Sequence, residues 1–504
     1  MRQPREQRSI DDSAVASVRE CFAQGHFDAA IQAAQVLLEQ DCDHAELLNI
    51  VGVCHLKLGN FGASEACLTQ AAQAAPQSAD VDNNLGVLHQ MVGRRDDAER
   101  SFRRAISKTP GHGEALLNLG MLLRSQHRLK EAEHVIRSAI AHAPGNHEAL
   151  NALGLVLKDL CRYDEADAAY RHALALRPQS AAYRLNLGVL LLYQGNWIEG
   201  LPLFEARYET DLKDVFASPP PVSFPQWRGE TLEGASLLVW PEQGHGDQIQ
   251  LVRYVRKIKD LGAKRITLVC SAATRSLFAT LPEADAVIAR EAFDPSTCPP
   301  HDFWTYLWSI PFNLREMPTS IPADLPYLRA PRNAASKWER LMPRGRMRVG
   351  LVWRGSSNNA NDFARSLPSL KTLEPLWQVE GLTFVSLQKE VSGADLQRET
   401  GDRFIVNLGN RVSDFSDVAA IVSRLDLVIG VDTAVMHLSA ALGKPTWILL
   451  SNVGTDWRWT CADSMSAWYP GVLTLFRQDA EETDWSGVVA RVAHALSLIP
   501  TLMR

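Results

Sequence analysis

A glycine returns at Gly52, Gly86, Gly120, Gly154 and Gly188, each 34 residues after the last, inside segments such as NNLGVLHQ, LNLGMLLR and NALGLVLK. Prolines keep the same interval (Pro76, Pro110, Pro144, Pro178), as do large residues (Phe27, Phe61, Leu129, Tyr163, Trp197) and small ones (Ala30, Ala98, Ala132, Ala166). Four phases on one period constrain the fold more than any composition figure, because a fixed period means one supersecondary unit stacked on copies of itself. Each unit reads as a helix with a small residue where its partner crosses and a turn. A second helix follows, its large residue filling the gap, and a proline ends the pair. Such a pair cannot bury its apolar face alone, so neighbours must stack, and stacking creates a concave groove.

The pattern resembles the tetratricopeptide repeat over about residues 9–212, as five full repeats and a final helix pair. On the groove side, Asn84, Asn118 and Asn186 share one phase, and Asn49, Asn83 and Asn151 share the phase before it. An amide both donates and accepts. Two readings are therefore open: a ladder that holds an extended peptide backbone, or bonds between neighbouring repeats. Either way the array is expected to bind a polypeptide rather than do chemistry.

A length of 504 residues leaves room for about three domains. Hydrophobic content of 46% and charged content of 22% are those of a globular protein. A net charge of -6 with no long basic run excludes a nucleic-acid footprint. No signal-peptide core and no uncharged apolar run of about 18 residues occur, so no transmembrane segment is expected, and a cytoplasmic location is. The eight cysteines (Cys21, Cys42, Cys54, Cys67, Cys161, Cys270, Cys298, Cys461) form no C-x-x-C. They read as small buried hydrophobes in a reducing compartment, with no metal site and no cofactor.

The repeat ends in VFASPPPVSFPQWRGETLEGA, where Pro219 to Pro221 forbid a continuing helix. We read residues 213–235 as a linker docked by Trp227 and Leu232. Strands then alternate with helices: SLLVW, RITLVC and ADAVIA, with one amphipathic helix IQLVRYVRKIKDLG, followed by MRVGLVW, LTFVSLQ, FIVNLG, LDLVIG and PTWILL. Helical spacers of this length indicate parallel βαβ units. The expected class is α + α/β: a helical superhelix over 9–212, then two Rossmann-like domains over 236–332 and 333–504.

Ligands of such sheets bind beyond the carboxyl ends of strands, where helix N-termini offer unpaired N–H groups. The stretch Leu425 to Leu450 supplies one such place: strand, Asp432-Thr433 loop, a helix from about Thr433 to Leu442, a stop at Gly443, and a second strand. Asp432 there is a cap or a loop organiser, and His437 one turn on faces the same phosphate or satisfies the loop. In the loop after SLLVW, Gly244 and Gly246 permit a sharp turn before Asp247, which is either a helix cap or a general base for an attacking hydroxyl. The loop after VGLVW carries Arg354, Ser356, Ser357, Asn361, Asp362 and Arg365, several suited to phosphate oxygens. Gln388, Lys389 and Glu390 end another strand. Asp456-Trp457-Arg458-Trp459 places aromatic faces that cover a base or sugar, or simply pack.

As a set, GHGDQIQLVRY, VGLVWRGS, RSLPSL, SLQKE, VDTAVMHLSAALGKPTWILL, DWRW and AWYPGVLTLFRQ resemble glycosyltransferase family 9. The resemblance implies a GT-B fold, a donor held mainly by the C-terminal domain, metal-independent transfer from a nucleotide-activated sugar, and a closing helix near Trp485 to Leu498. It implies a base at Asp247, from the Gly246-Asp247 match. It implies donor contacts at Asp432, Thr433, Ala434 and His437, where Ala434 replaces the family's glycine and narrows the approach of a pyrophosphate. Arg365 falls where the family has a phosphate-binding lysine, and Glu390, Gln388 or Lys389 where it has a ribose ligand.

The layout, though not the catalytic motifs, is similar to that of the O-GlcNAc transferases. The expectation is a metal-independent, hexosyl- or heptosyl-transferring enzyme that moves a sugar from a UDP-, ADP- or GDP-sugar to a hydroxyl, on a protein held by the repeats. Its rivals are heptosyl transfer to a glycolipid core and a catalytically degenerate scaffold.

Overall fold

The computed structural model describes residues 11–209, 212, 218–242, 244–344, 347–356, 362–401, 403–460, 464–479 and 482–502. The chain forms two compact units, Met1–Val156 and Leu157–Arg504.

The first unit is helical. Its elements are α1 (Asp12–Ala23), α2 (Phe27–Leu38), α3 (Ala45–Lys57), α4 (Phe61–Ala74), α5 (Ala79–Met91), α6 (Arg95–Lys108), α7 (Gly113–Ser125), α8 (Leu129–His142) and most of α9 (His147–Asp159). Helix starts are written locally: Asp11, His44, Ser78 and His112 each accept a first-turn backbone N–H. The turn inside each pair needs a left-handed residue, filled by Gly25, Gly59 and Gly93 (φ 77° to 79°) and, at the next position of this phase, by His127 at φ 61°.

The periodic glycine is where paired helices cross. A Cβ on Gly86 would overlap the Phe102 ring, as one on Gly52 would overlap Leu68 and one on Gly120 Ile136. The asparagine phases meet between repeats: Asn84 Nδ2 donates to Asn49 Oδ1 at 2.9 Å and Asn118 Nδ2 to Asn83 Oδ1 at 2.9 Å. At least one N–H of each of these two amides therefore serves the stack itself.

The second unit opens with α10 (Tyr163–Leu176), α11 (Ala181–Tyr193), α12 (Trp197–Phe204) and a 3-10 turn (Glu205–Tyr208). A four-stranded parallel sheet follows, of order β3-β2-β1-β4. It is built from β1 (Ser236–Trp240), α13 (His245–Leu251), α14 (Tyr254–Asp260), β2 (Arg265–Cys270), α15 (Ala272–Phe278), β3 (Ala286–Ala289), β4 (Phe303–Tyr306) and α16 (Ser309–Asn313). After α17 (Arg332–Glu339) comes a six-stranded sheet of order β10-β9-β8-β5-β6-β7, whose paired strands all run parallel. Its elements are β5 (Met347–Val352), α18 (Asp362–Arg365), β6 (Leu382–Ser386), α19 (Gly393–Thr400), β7 (Ile405–Asn407), α20 (Phe415–Val422), β8 (Leu427–Val431), α21 (Ala434–Ala441), β9 (Thr446–Leu450), β10 (Leu473–Arg477) and the closing α22 (Ser486–Leu502). The expected class holds: helical repeats, then two Rossmann-like parallel sheets.

The structure amends several details. The helix expected across IQLVRYVRKIKDLG is broken between α13 and α14, where buried Arg253 turns its guanidinium back to the Gln250 carbonyl (2.8 Å). Strands β4 and β10 were not anticipated. Of the cysteines, Cys54 and Cys270 are buried, whereas Cys42 and Cys161 are exposed; Cys461 lies outside the described residues. Among the described residues no helix is long and apolar enough to cross a membrane, and no three metal-ligating side chains converge.

The last helix pair shares one core with both sheets. Trp197 and Phe204 pack in an aromatic cluster with Trp308, Trp457 and Trp468, ring centroids 5.3 to 6.1 Å apart. Trp227 and Leu232 of the preceding linker are buried as expected. Replacing Trp197 by Ala should therefore cost about 3–5 kcal/mol of unfolding free energy in denaturant titration. In the first unit, Gly86→Val should cost about 1–3 kcal/mol by forcing Phe102 aside. By contrast Gly62→Ala, in open space on α4, should be neutral or stabilising by under about 1 kcal/mol on the same titration.

Candidate functional site

The carboxyl ends of β1, β5, β6, β8 and β9 open on one cleft of about 800 Å³. That size suits a nucleotide-sized ligand. One wall comes from the four-stranded sheet, as Gly244, His245, Gly246 and Asp247 at the start of α13. The other comes from the six-stranded sheet, as Arg354, Ser356, Arg365, Gln388, Lys389, Asp432, Thr433, Ala434 and His437. The two walls touch through Gly246: a Cβ there would stand 3.0 Å from His437 Cδ2 and 3.5 Å from Ala434 Cα. A side chain there would press on the His437 ring, so glycine favours the close approach of the start of α13 to α21.

Asp247 is nearly buried, and both of its oxygens are engaged. Oδ2 accepts the Gly244 N–H at 2.9 Å, which makes Asp247 the reciprocal half of a cap, and Oδ1 accepts from Arg458 Nη1 at 2.5 Å. Each carboxylate oxygen keeps a second lone pair for a ligand hydroxyl. Arg458 is held in turn by both oxygens of Asp456 (2.9 and 2.8 Å) and by Gln250 Oε1 (2.7 Å). Burial pulls its pKa down, but Asp456, Asp247 and Asp432 more than offset this, and the guanidinium is held more firmly cationic than usual.

On the opposite wall Asp432 does not cap α21. Its Oδ2 accepts from Trp459 Nε1 at 2.9 Å, and its Oδ1 lies 3.5 Å from His437 Nε2. Burial pushes this carboxyl up, yet the His437 hydrogen bond and the charges of His437 and Arg458 hold it well below the usual carboxylate range. The other nitrogen of His437, Nδ1, meets Tyr469 Oη at 3.0 Å, and the ring stacks on Trp459. Both imidazole nitrogens thus face protein groups, Asp432 on one side and Tyr469 on the other. Thr433 is the N-cap residue of α21, but no side chain caps the helix, and Thr433 Oγ1 has no hydrogen-bond partner. The first N–H groups of α21 are left for a ligand.

Around this start lie cations. Arg365 Nη1 donates to the Asp432 carbonyl at 3.3 Å and its Nε to Asp362 Oδ1 at 3.2 Å. Lys389 is exposed and makes no hydrogen bond or ion pair with a described residue. Gln388 faces inward, its Oε1 accepting the N–H groups of Trp353 (3.2 Å) and Arg354 (2.9 Å), so it shapes the loop after β5. Ser356 is exposed at the rim; Ser357 and Asn361 lie outside the described residues. Glu390 stands at φ 61° and does not line the cleft. Trp457 and Trp459 are both buried, so neither covers a ligand; they pack, on the aromatic cluster and on His437 respectively. Asn186 sits half-buried on α11 and is not part of the cleft.

Sequence reasoning did not single out His245 or the anchoring role of Arg458. Desolvation and the nearby Lys389 charge lower the pKa of His245, a cleft residue set against Phe415 at 5.3 Å. For Arg458 the available signal was an arginine placed between two tryptophans. A cation in so apolar a stretch must have carboxylate partners.

Comparison with known proteins finds two kinds of segment in the chain. Residues 386–450, from the end of β6 to the end of β9, match glycosyltransferase family 9 (heptosyltransferase). Residues 16–79, 83–147 and 147–180 match tetratricopeptide repeats. The protein FlbA of Caulobacter vibrioides is 26% identical over 342 residues, which cover 61% of this chain and 53% of that protein, so the match spans about half the length of that relative. Among solved structures, MamA is 24% identical, covering 33% of this chain and 97% of its own with a TM-score of 0.29. Pseudomonas aeruginosa pilF is 14% identical, with coverages of 40% and 95% and a TM-score of 0.36. The chain thus carries tetratricopeptide repeats in its helical part, and a segment of its six-stranded sheet matches glycosyltransferase family 9.

Proposed function

We propose that the protein transfers a sugar from a nucleotide-diphosphate sugar to a hydroxyl, on a polypeptide recruited by the helical repeats. In this reading residues 9–212 recruit, 213–235 link, 236–332 form the acceptor side and 333–504 the donor side. The observation that carries it is the uncapped start of α21, open to the cleft beside Arg365 and Lys389 and faced by Asp247 from the other sheet. A diphosphate bears its charge where N–H groups and cations are already aimed, so its departure needs little reorganisation. The acceptor oxygen attacks the anomeric carbon, the bond from that carbon to the phosphate oxygen breaks, and Asp247 takes the hydroxyl proton. Arg458 fixes the Asp247 carboxylate and, being bound by Asp456, stays paired when that carboxylate changes charge. The α21 N–H groups, Arg365, Lys389 and Ser356 hold the leaving diphosphate. Asp432 and His437 support the loop beneath. The amide phases of Asn84, Asn118 and Asn186 present the peptide-facing side of the array. The reaction needs no metal, and we place it in the cytoplasm.

Calorimetric titration with UDP-, ADP- and GDP-sugars tests the donor site. Arg365→Ala and Lys389→Ala should each weaken nucleotide-diphosphate binding by about tenfold or more, the worth of a charge-assisted hydrogen bond. Absence of binding by any of the three nucleotides would sink the enzymatic reading and leave an interaction scaffold.

Asp247→Ala should lower kcat by about 10²–10⁴-fold in a transfer assay while leaving nucleotide affinity within a few fold. The fold should survive, since Asp456 still neutralises Arg458. A turnover equal to that of the wild type would remove Asp247 from the role of base. A preference for glycolipid over protein acceptors in the same assay would move the substrate class.

A further inference from the structure

The loop that presents Gly244, Gly246 and Asp247 begins at the end of β1, and its first charged residue, Glu242, points away from the cleft. Glu242 is fully buried. Its Oε1 accepts the Trp308 N–H at 2.6 Å, and its Oε2 accepts the hydroxyl of Tyr208. Arg207, also fully buried, brings Nε to 3.5 Å from the same oxygen.

Both residues belong to the 3-10 turn that closes the last helix pair. The Arg207 guanidinium lies over the Phe204 and Tyr208 rings at 4.1 and 4.0 Å, with Nη1 donating to the Phe204 carbonyl (2.8 Å) and to Glu205 Oε1 (2.9 Å). Tyr208 stacks on Tyr306 of β4, centroids 4.2 Å apart. Ser309 Oγ completes the cluster by donating to Glu205 Oε2 at 2.8 Å.

Packing alone would be served by apolar residues. Two carboxylates and a guanidinium out of water are costly unless each is bonded in a fixed geometry, and such clusters specify one arrangement of the elements they join. The elements joined here are the end of the repeat array, the start of α16 and the loop that leads to Asp247.

We propose that Arg207 and Tyr208 are positioning residues for the cleft: through Glu242 they fix the path of the loop that presents Asp247, and so couple the last helix pair to the reacting groups. The proposal rests on the reading of this cleft as the transfer site. It assigns the end of the repeats a part in turnover that recruitment of an acceptor does not require.

The decisive variant is Tyr208→Phe in the full chain, which removes the hydroxyl from Glu242 and keeps the stack on Tyr306. Amide hydrogen exchange over residues 240–250 should accelerate. In the transfer assay kcat should fall by about tenfold while KM for the nucleotide sugar stays within about twofold, as expected for misplacement of a reacting group. The harsher Arg207→Met leaves Glu242 stranded and should melt early. Adding Glu242→Gln should restore the melting temperature but neither the slow exchange nor kcat.

A folded Tyr208→Phe protein with unchanged exchange in 240–250 overturns the coupling. Faster exchange with unchanged kcat overturns the part in turnover, as does a double variant that recovers kcat together with stability. A wild-type chain that transfers no sugar fails the catalytic reading instead, and the exchange arm then decides the coupling by itself.

Discussion

The cleft of the second unit is arranged about one largely desolvated cation, Arg458. Removing a guanidinium from water costs several kcal/mol even after relaxation, and only close, well-directed partners offset this. Arg458 has them: both oxygens of Asp456 from its own loop, and Asp247 with Gln250 from α13 of the other sheet. Asp456 matches the charge within the loop, and Asp247 with Gln250 completes the set of partners at Nη1, which draws the loop after β9 and the start of α13 together. The cleft walls are brought to a fixed separation by the same bond that orients Asp247. The residues either side of Arg458 are committed as a consequence, Trp457 to the aromatic cluster and Trp459 to His437 and Asp432.

What could be read beforehand follows the range of the interactions. The repeats were legible because each phase records a contact or turn made again in the next pair, such as Gly86 against Phe102 and Gly120 against Ile136. Strands β1, β2, β5, β8 and β9 were legible as apolar runs between turn signals. Strand β4 was missed because FWTY is four residues long and follows two prolines, too short for a period to show. The helix start at Thr433 and the glycines before Asp247 were legible from local chemistry, whereas the sequence left open whether Asp432 caps that helix.

The Asp247–Arg458 pair was not, since its partners stand 211 residues apart and neither sequence neighbourhood names the other. The Glu242 cluster was hidden for the same reason. Arg207 and Tyr208 lie beside the last repeat pair, where a helical pattern gives no hint of a partner beyond β1. The tryptophans of DWRW were ambiguous in sequence because an aromatic ring serves a ligand or a core equally well; burial decides for the core.

The loop before α21 shows why a motif of Asp, Thr and a later His leaves a helix start uncapped. An aspartate just before a helix ordinarily turns its carboxylate onto the first-turn N–H groups, and such a cap contributes about 0.5–2 kcal/mol. Here His437, one turn into α21, and Trp459 draw the Asp432 carboxylate the other way, into a buried layer closed by Tyr469. The helix forgoes its cap, and the carboxylate faces His437, Trp459 and the Arg458 charge instead of standing bare beside the N–H groups. A bare carboxylate at that point would repel a diphosphate; one turned inward does not. The same His437 also receives Gly246 from the other sheet, so the group that turns Asp432 away from the helix start is the group against which the opposite wall packs. The open start of α21 and the close approach of Gly246 to it thus both involve His437.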